Sequence, residues 1–306
     1  MKTVTSVSGG KTSAMMAIEF PTDHYIFAVV LMDHPISAPK DKGLLRECIN
    51  RIPHFVASQE ADLTLFNMLK LEQELGKRID WVASEYTLDR FIDNDTDQPS
   101  YRSGHKILPN ASKRFCTEQT KLNPMFWHCY LNYLADPHIE IDNNGDTSYY
   151  YEPLLMNIGY RWDEQKRVAN WTCDKDKFKF PLSCSTGLSK NNLICNLYKY
   201  KKYEYTSKEW RVTQFPMYEH KISSLDVTKY WLEKGWQYPE VSNCSFCFHH
   251  RDVQQQRQAQ LQPEKLQWWL AQEKKVGHTF GKRPLEQIIS QPLLDVYDHA
   301  PCHCTD

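Results

Sequence analysis

A β-prone run that meets two glycines, a lysine and two hydroxyls, and then a small apolar helix former, has few ways to fold. Thr3-Val4-Thr5-Ser6-Val7-Ser8-Gly9-Gly10-Lys11-Thr12-Ser13, followed by Ala14-Met15-Met16-Ala17, is such a run. It reads as a strand, a tight turn and a helix N-terminus. Glycines permit a backbone path and a close approach that a Cβ would block. The unsatisfied N–H groups of the turn and first helical turn, with the helix dipole behind them, favour an anion. Lys11 adds a point charge; Ser8, Thr12 and Ser13 add hydroxyls. A phosphate chain is the expected occupant, with an ordinary glycine turn as the bland alternative.

The end of the turn, Gly10-Lys11-Thr12, imitates a Walker A loop. That motif needs a glycine five residues before its last one, and Thr5 stands there. What remains, Ser-Gly-Gly-Lys-Thr-Ser at the end of the first strand, resembles the pyrophosphate loop (Ser-Gly-Gly-x-Asp-Ser) of the PP-loop ATP pyrophosphatases and their sulfonucleotide-reductase relatives. Thr12 replaces the family's usual Asp.

The rest of the chain reads as alternating strands and helices. His24 to Asp33 is a near-continuous apolar run, as expected of a buried parallel strand. Asp33 closes it, at the strand end where open α/β sheets bind ligands. Residues 41–52 and 58–77 have helical patterns, Asp80 to Tyr86 a strand pattern, and 93–112 those of a mobile loop. A helix is expected from Lys113-Arg114-Phe115-Cys116-Thr117 through Lys121 and Pro124. A hairpin turn is expected at Asn144-Gly145, a strand from Tyr149 to Ile158, and a β insertion or basic-aromatic face near 170–213. Ser223 or Ser224 opens a helix with a capping-box-like Asp226. An amphipathic helix covers about 263–275. The fold expected is α/β, a doubly wound, mainly parallel sheet with a cysteine-containing C-terminal lobe. Its expected division is 1–215 for the nucleotide-binding domain and 216–306 for the lobe, packed on the same core.

The 306 residues carry a formal net charge of -1, so no global basic field argues for nucleic acid. No apolar stretch approaches the length of a membrane span. The N-terminus runs straight into the first strand, which leaves no room for a signal peptide. Ten unevenly spaced cysteines beside a nucleotide loop fit a reducing, cytoplasmic setting with metal-bound or reactive thiols.

Cys244-x-x-Cys247 is the sharpest thiol signal, since two thiolates at this spacing reach one metal or cluster face. Cys116, in Arg114-Phe115-Cys116-Thr117 with Lys121 and Pro124 after it, resembles the segment of assimilatory sulfonucleotide reductases in which a Cys-Cys pair joins a distant Cys-x-x-Cys around a 4Fe-4S cluster. Phe115 stands at the first position of that pair. Three of four ligands are therefore retained, as in tRNA thiolation enzymes that leave one iron open. Cys184 and Cys195 are candidate fourth ligands, as are the tail cysteines Cys302 and Cys304. Zinc is the alternative to the cluster, with His249, His250, His299 or His303 completing the site.

Gly159-Tyr160-Arg161-Trp162-Asp163-Glu164 resembles the superfamily's Gly-Ile-Arg-x-x-Glu segment, in which Arg161 can grip a phosphate or carboxylate bidentately and Glu164 can position Arg167 or a lysine. The ordered series of motifs, over about residues 3–280, resembles the phosphoadenosine-phosphosulfate-reductase-like family, which has many phage and bacterial members. The resemblance implies an ATP pyrophosphatase that adenylates an acceptor in sulfur metabolism or nucleic-acid thio-modification. It implies ATP and Mg²⁺ at Ser8, Gly9, Gly10, Lys11, Thr12, Ser13, Asp33, Arg161 and Glu164, with Lys11, Lys121 and Arg161 as catalytic charges. It implies a cluster on Cys116, Cys244 and Cys247, and as partners a sulfur donor such as a cysteine desulfurase, an acceptor that includes nucleic acid, and a homodimer. Two other readings stand beside it. One is a thiol-dependent sulfonucleotide reductase, although such enzymes usually degrade the Ser-Gly-Gly loop and carry a C-terminal Glu-Cys-Gly nucleophile, where this tail has Cys302-His303-Cys304. The other is a non-catalytic nucleotide-binding protein with structural zinc, which the Thr12 replacement favours.

Overall fold

The computed structural model describes residues 1–96, 106–111, 113–134, 138–141, 147–150, 152–181, 205–239 and 244–292. Its strands are β1 (Thr3–Ser6), β2 (His24–Val29), β3 (Leu31–Met32), β4 (Ala57–Ser58), β5 (Ile79–Ala83), β6 (His138–Ile141), β7 (Thr147–Tyr150), β8 (Leu154–Asn157), β9 (Lys177–Pro181), β10 (Tyr205–Glu209) and β11 (Arg211–Gln214). Five of them form a parallel sheet in the order β11-β8-β1-β2-β5. The chain moves outward from β1 through β2 to β5, then returns to the other side of β1 as β8 and moves out again to β11. The direction of winding therefore reverses between β1 and β8.

The apolar run of β2 follows from burial on both faces. Tyr25, Phe27 and Val29 enter one core with Met16 of helix α1 (Lys11–Glu19), Leu65 of α3 (Asp62–Leu75) and Trp231. Ile26 and Ala28 alternate into a second core. There they meet Phe126, Cys129 and Tyr130 of a helix over Asn123–Asn132. Helices thus cover both faces, as a doubly wound sheet requires. Between α1 and α3 lies α2 (Lys42–Arg51), whose Asp41 cap accepts from Leu44 N at 2.7 Å. The capping box foreseen at Ser223 and Asp226 opens the helix Ser224–Lys234.

Four segments depart from expectation. The strand read over 24–33 stops at Val29, because Val30 donates its N–H to the Glu60 carboxylate (3.2 Å) and its carbonyl accepts from Gln59 N. The chain then turns into β3, antiparallel to β4. The strand read over 149–158 is two strands. Pro153 has no N–H for a ladder, and β8 begins only after it, at Leu154. The region read as an insertion near 170–213 supplies β11, an edge of the central sheet, besides the β9–β10 ribbon. The loop read over 93–112 includes Leu108, which is 2% exposed in a third core. The turn at Asn144-Gly145 lies outside the described residues, but β6 and β7 on either side of it pair antiparallel.

The third core lies beyond β3 and joins Val30, Met32, Phe91 and Phe115 to Phe246, Trp269 and Phe280. Among the described residues no helix is long and apolar enough to cross a membrane.

Candidate functional site

The turn after β1 is built as the composition requires. Gly9 has φ +84°, and a Cβ there would lie 2.5 Å from Thr64 Cγ2. Neither the conformation nor the space admits a side chain. Gly10 caps α1 without a side-chain acceptor, and no acidic residue occupies the first turn. The helix end therefore keeps its affinity for an anion. Ser13 plays a different part from the one expected of a phosphate donor. It is 4% exposed, accepts from Ser8 N (3.0 Å), shares a hydrogen bond with Ser8 Oγ (3.0 Å) and donates to Gly10 O (3.2 Å), so it braces the loop from inside. Trp231 Nε1 donates to Lys11 O at 2.9 Å and fixes the helix start against the next layer.

The segment after β8 reaches the same place. A Cβ on Gly159 would stand 3.3 Å from both Ser13 Cα and Ser13 N, so the two turns are in backbone contact. Arg161 Nη1 donates to Thr12 Oγ1 at 3.1 Å, and its Nε to Asp163 Oδ1 at 3.1 Å. Glu164, with its side chain 4% exposed, accepts from Arg161 N (3.0 Å) and from Arg167 Nη1 (2.6 Å). The buried carboxylate thus holds the backbone of one arginine and the side chain of the other. Both turns stand at the C-terminal ends of neighbouring strands where the winding reverses, the crevice in which open α/β sheets hold ligands.

A second cluster forms around the thiols. Cys116 begins a helical segment, Phe115–Thr117, that passes through a π turn (Glu118–Leu122) into the helix Asn123–Asn132. Pro124 cannot donate to the turn before it, which accounts for the widening. Cys116, Cys244 and Cys247 line one cavity of about 30 Å³ with Arg114, Lys121 and His249. Lys121, expected as a catalytic charge, lines the same cavity as the thiols. The Cys244–Cys247 turn carries Phe246 at φ +55°, and Phe246 N donates to Gln258 Oε1 at 2.6 Å. His250 Nδ1 donates to the same oxygen at 3.2 Å. Ser245 donates N–H and hydroxyl to Gln59 O.

Three thiols are a soft donor set that fits zinc or an iron–sulfur centre. Among the described residues no three or more His, Cys, Asp or Glu side chains already stand in metal-holding geometry. The cavity is about the size of two water molecules. A single ion is therefore accommodated more readily than a cubane, which needs the two thiol-bearing segments to draw apart. Cys184, Cys195, His299, Cys302, His303 and Cys304 lie outside the described residues.

Sequence reasoning missed Glu60 and Lys265. Glu60 is 1% exposed, pairs as an isolated bridge with Cys244, and has Oε1 3.9 Å from Cys244 Sγ. Burial pushes its carboxyl well above the usual range, opposed by the charges of Lys121 and Lys265. Lys265 donates to Glu60 O, and burial pushes its ammonium down to about 8. A Gln-Glu pair before a helix was the only available signal, and it is common on surfaces. Asp33 belongs to neither cluster. Its Oδ2 accepts from Thr87 Oγ1 (2.8 Å) and its N–H donates to Asp89 Oδ2 (2.8 Å).

No protein-family model matches the chain, and neither a curated protein nor a solved structure matches it.

Proposed function

We propose that the chain binds ATP in the crevice between β1 and β8, adenylates an acceptor there, and uses the cysteine cavity for the sulfur chemistry that follows. The observation that carries this reading is the meeting of the two turns: Gly159 against Ser13, and the Arg161 guanidinium on Thr12. In this reading the N–H groups of the Gly9–Thr12 turn and the Lys11 ammonium hold the β- and γ-phosphates, whose charge Mg²⁺ would share when bound. Arg161 neutralises the α-phosphate, its position held through Glu164. The acceptor oxygen bonds the α-phosphorus, the bond to the β-phosphate oxygen breaks, and pyrophosphate leaves. A sulfur or other nucleophile then takes the activated carbon and AMP departs. A metal centre on Cys116, Cys244 and Cys247 would supply sulfur or electrons at the cavity. Cytoplasmic PP-loop enzymes of the phosphoadenosine-phosphosulfate-reductase-like kind provide the resemblance, and Thr12 in contact with Arg161 is compatible with it.

Pyrophosphate release from ATP tests the proposal. Lys11→Ala is expected to abolish release, and equal turnover by that variant overturns the assignment. The cavity volume favours a second reading for the thiols, a structural zinc site. Metal and acid-labile sulfide assays on protein purified without oxygen separate the two. About four iron and four sulfide per chain support the sulfur reading, and about one zinc without sulfide supports the structural one.

A further inference from the structure

Beside the cysteine cavity lies an open groove of about 700 Å³ whose composition differs from the chain's average. Among the described residues its charged lining consists of Lys106, Lys113 and Lys282, with His278 among them and no carboxylate. All four side chains are exposed. The chain as a whole is close to neutral, so this is a local field rather than a background one. The nearby Asp93 is already engaged by Lys275 (2.8 Å) and Lys106 (3.6 Å). Phe248 and Phe280 line both the groove and the cysteine cavity, with ring centroids 5.5 Å apart. The groove's aromatic wall is therefore also the wall of the thiol cavity.

The geometry points to this groove as the seat of a single-stranded nucleic acid. Lys113 and Lys282 line the groove away from the carboxylate that engages Lys106, and such lysines attract phosphodiesters. Phe248, half-buried in the groove wall and backed by the buried Phe280, offers aromatic surface to an unpaired base; cations beside an aromatic ring are the combination by which proteins hold single strands. A strand rather than a duplex fits because a base kept in a stack cannot reach past Phe248 and Phe280 to the thiols. That the strand is also the acceptor rests on the adenylation reading; that it binds here does not.

The test is fluorescence anisotropy of the full chain with a labelled oligonucleotide of about 12 nucleotides, as DNA and as RNA, between about 50 and 200 mM salt. Wild type is expected to bind either or both strands with a salt-dependent affinity. Lys113→Ala with Lys282→Ala is expected to weaken binding about tenfold or more and to lower the salt slope by about 1.4, because two phosphates are no longer neutralised. Lys11→Ala is expected to leave strand binding unchanged. The inference is overturned by absence of binding at low salt, by a double variant with wild-type affinity and slope, or by a mononucleotide that competes as well as the strand. Loss of strand binding with pyrophosphate release intact defeats only the groove. Intact strand binding without any pyrophosphate release defeats only the nucleotide reading.

Discussion

Gly9 is the residue on which the turn after β1 depends most directly. Its left-handed φ and the 2.5 Å approach of Thr64 Cγ2 act together, so Gly9→Ala meets both backbone strain and a clash. A loss of roughly 1 kcal/mol or more of stability is expected, together with loss of pyrophosphate release. Wild-type melting and release in this variant would refute the account of the turn. The cysteines differ just as sharply from one another. Cys48 is fully buried and its thiol is pushed up to about 12 by burial; Cys129 is pushed up as well, for the same reason. Cys116 and Cys244 are half-buried at the cavity. Alkylation of metal-free protein near pH 8, read by mass spectrometry, should therefore modify Cys116 and Cys244 before Cys48 and Cys129. Cys48 and Cys129 should react only on unfolding. Equal rates for Cys48 and Cys244 would show that the cavity gives no access.

At the scale of elements, the helix Asp252–Leu261 holds the Cys244–Cys247 turn in place through buried amides. Gln254, Gln255, Gln256 and Gln258 are each 7% exposed or less. Gln256 Nε2 reaches Ile288 O (2.9 Å) and Gln291 O (3.0 Å), and Gln258 serves Phe246 and His250. Gln258→Leu keeps the volume but leaves the Phe246 N–H without its acceptor, at an expected cost of about 1–3 kcal/mol. A melting temperature lowered by roughly 2–4 °C per kcal/mol and weaker metal retention are expected. An unchanged melt would mean that the turn stands without that bond. This helix also marks the limit of what the sequence tells. A glutamine-rich stretch has no apolar period, so nothing in Gln254-Gln255-Gln256 announces burial. By contrast, β1, α1 and the turn between them were legible because glycines, a lysine and an apolar helix former each act locally. So were Ser223 with Asp226. The end of β2 was not, because it is set by a hydrogen bond to Glu60 from thirty residues away. The convergence of Cys116 with Cys244 and Cys247, with Lys121 beside them, was expected from family resemblance rather than from any local rule.

Across the whole molecule, the segment that carries Cys244 and Cys247 is fastened beside β4 by a buried ammonium on a backbone carbonyl. Lys265, on the helix Pro263–Val276, donates to Glu60 O just beyond β4. Its ammonium lies about 8 in the folded chain against 10.5 in the unfolded one, because burial disfavours its charge. Below pH 8 both states hold the proton, and the folded state bears the full cost of a buried ammonium. Between about 8 and 10.5 the folded state has released the proton while the unfolded state keeps it, so stability rises with pH over that window. Removing Lys265 also takes away a cation that opposes the rise in the Glu60 carboxyl. The variant then loses stability with pH over a wider range, a shift of the same sign in the comparison. Urea unfolding of wild type and Lys265→Met at pH 7.5 and 9.5 should therefore show wild type gaining on the variant as pH rises, by at most about 3 kcal/mol. Parallel curves would mean that Lys265 is hydrated in solution and that its ammonium bears no cost of burial.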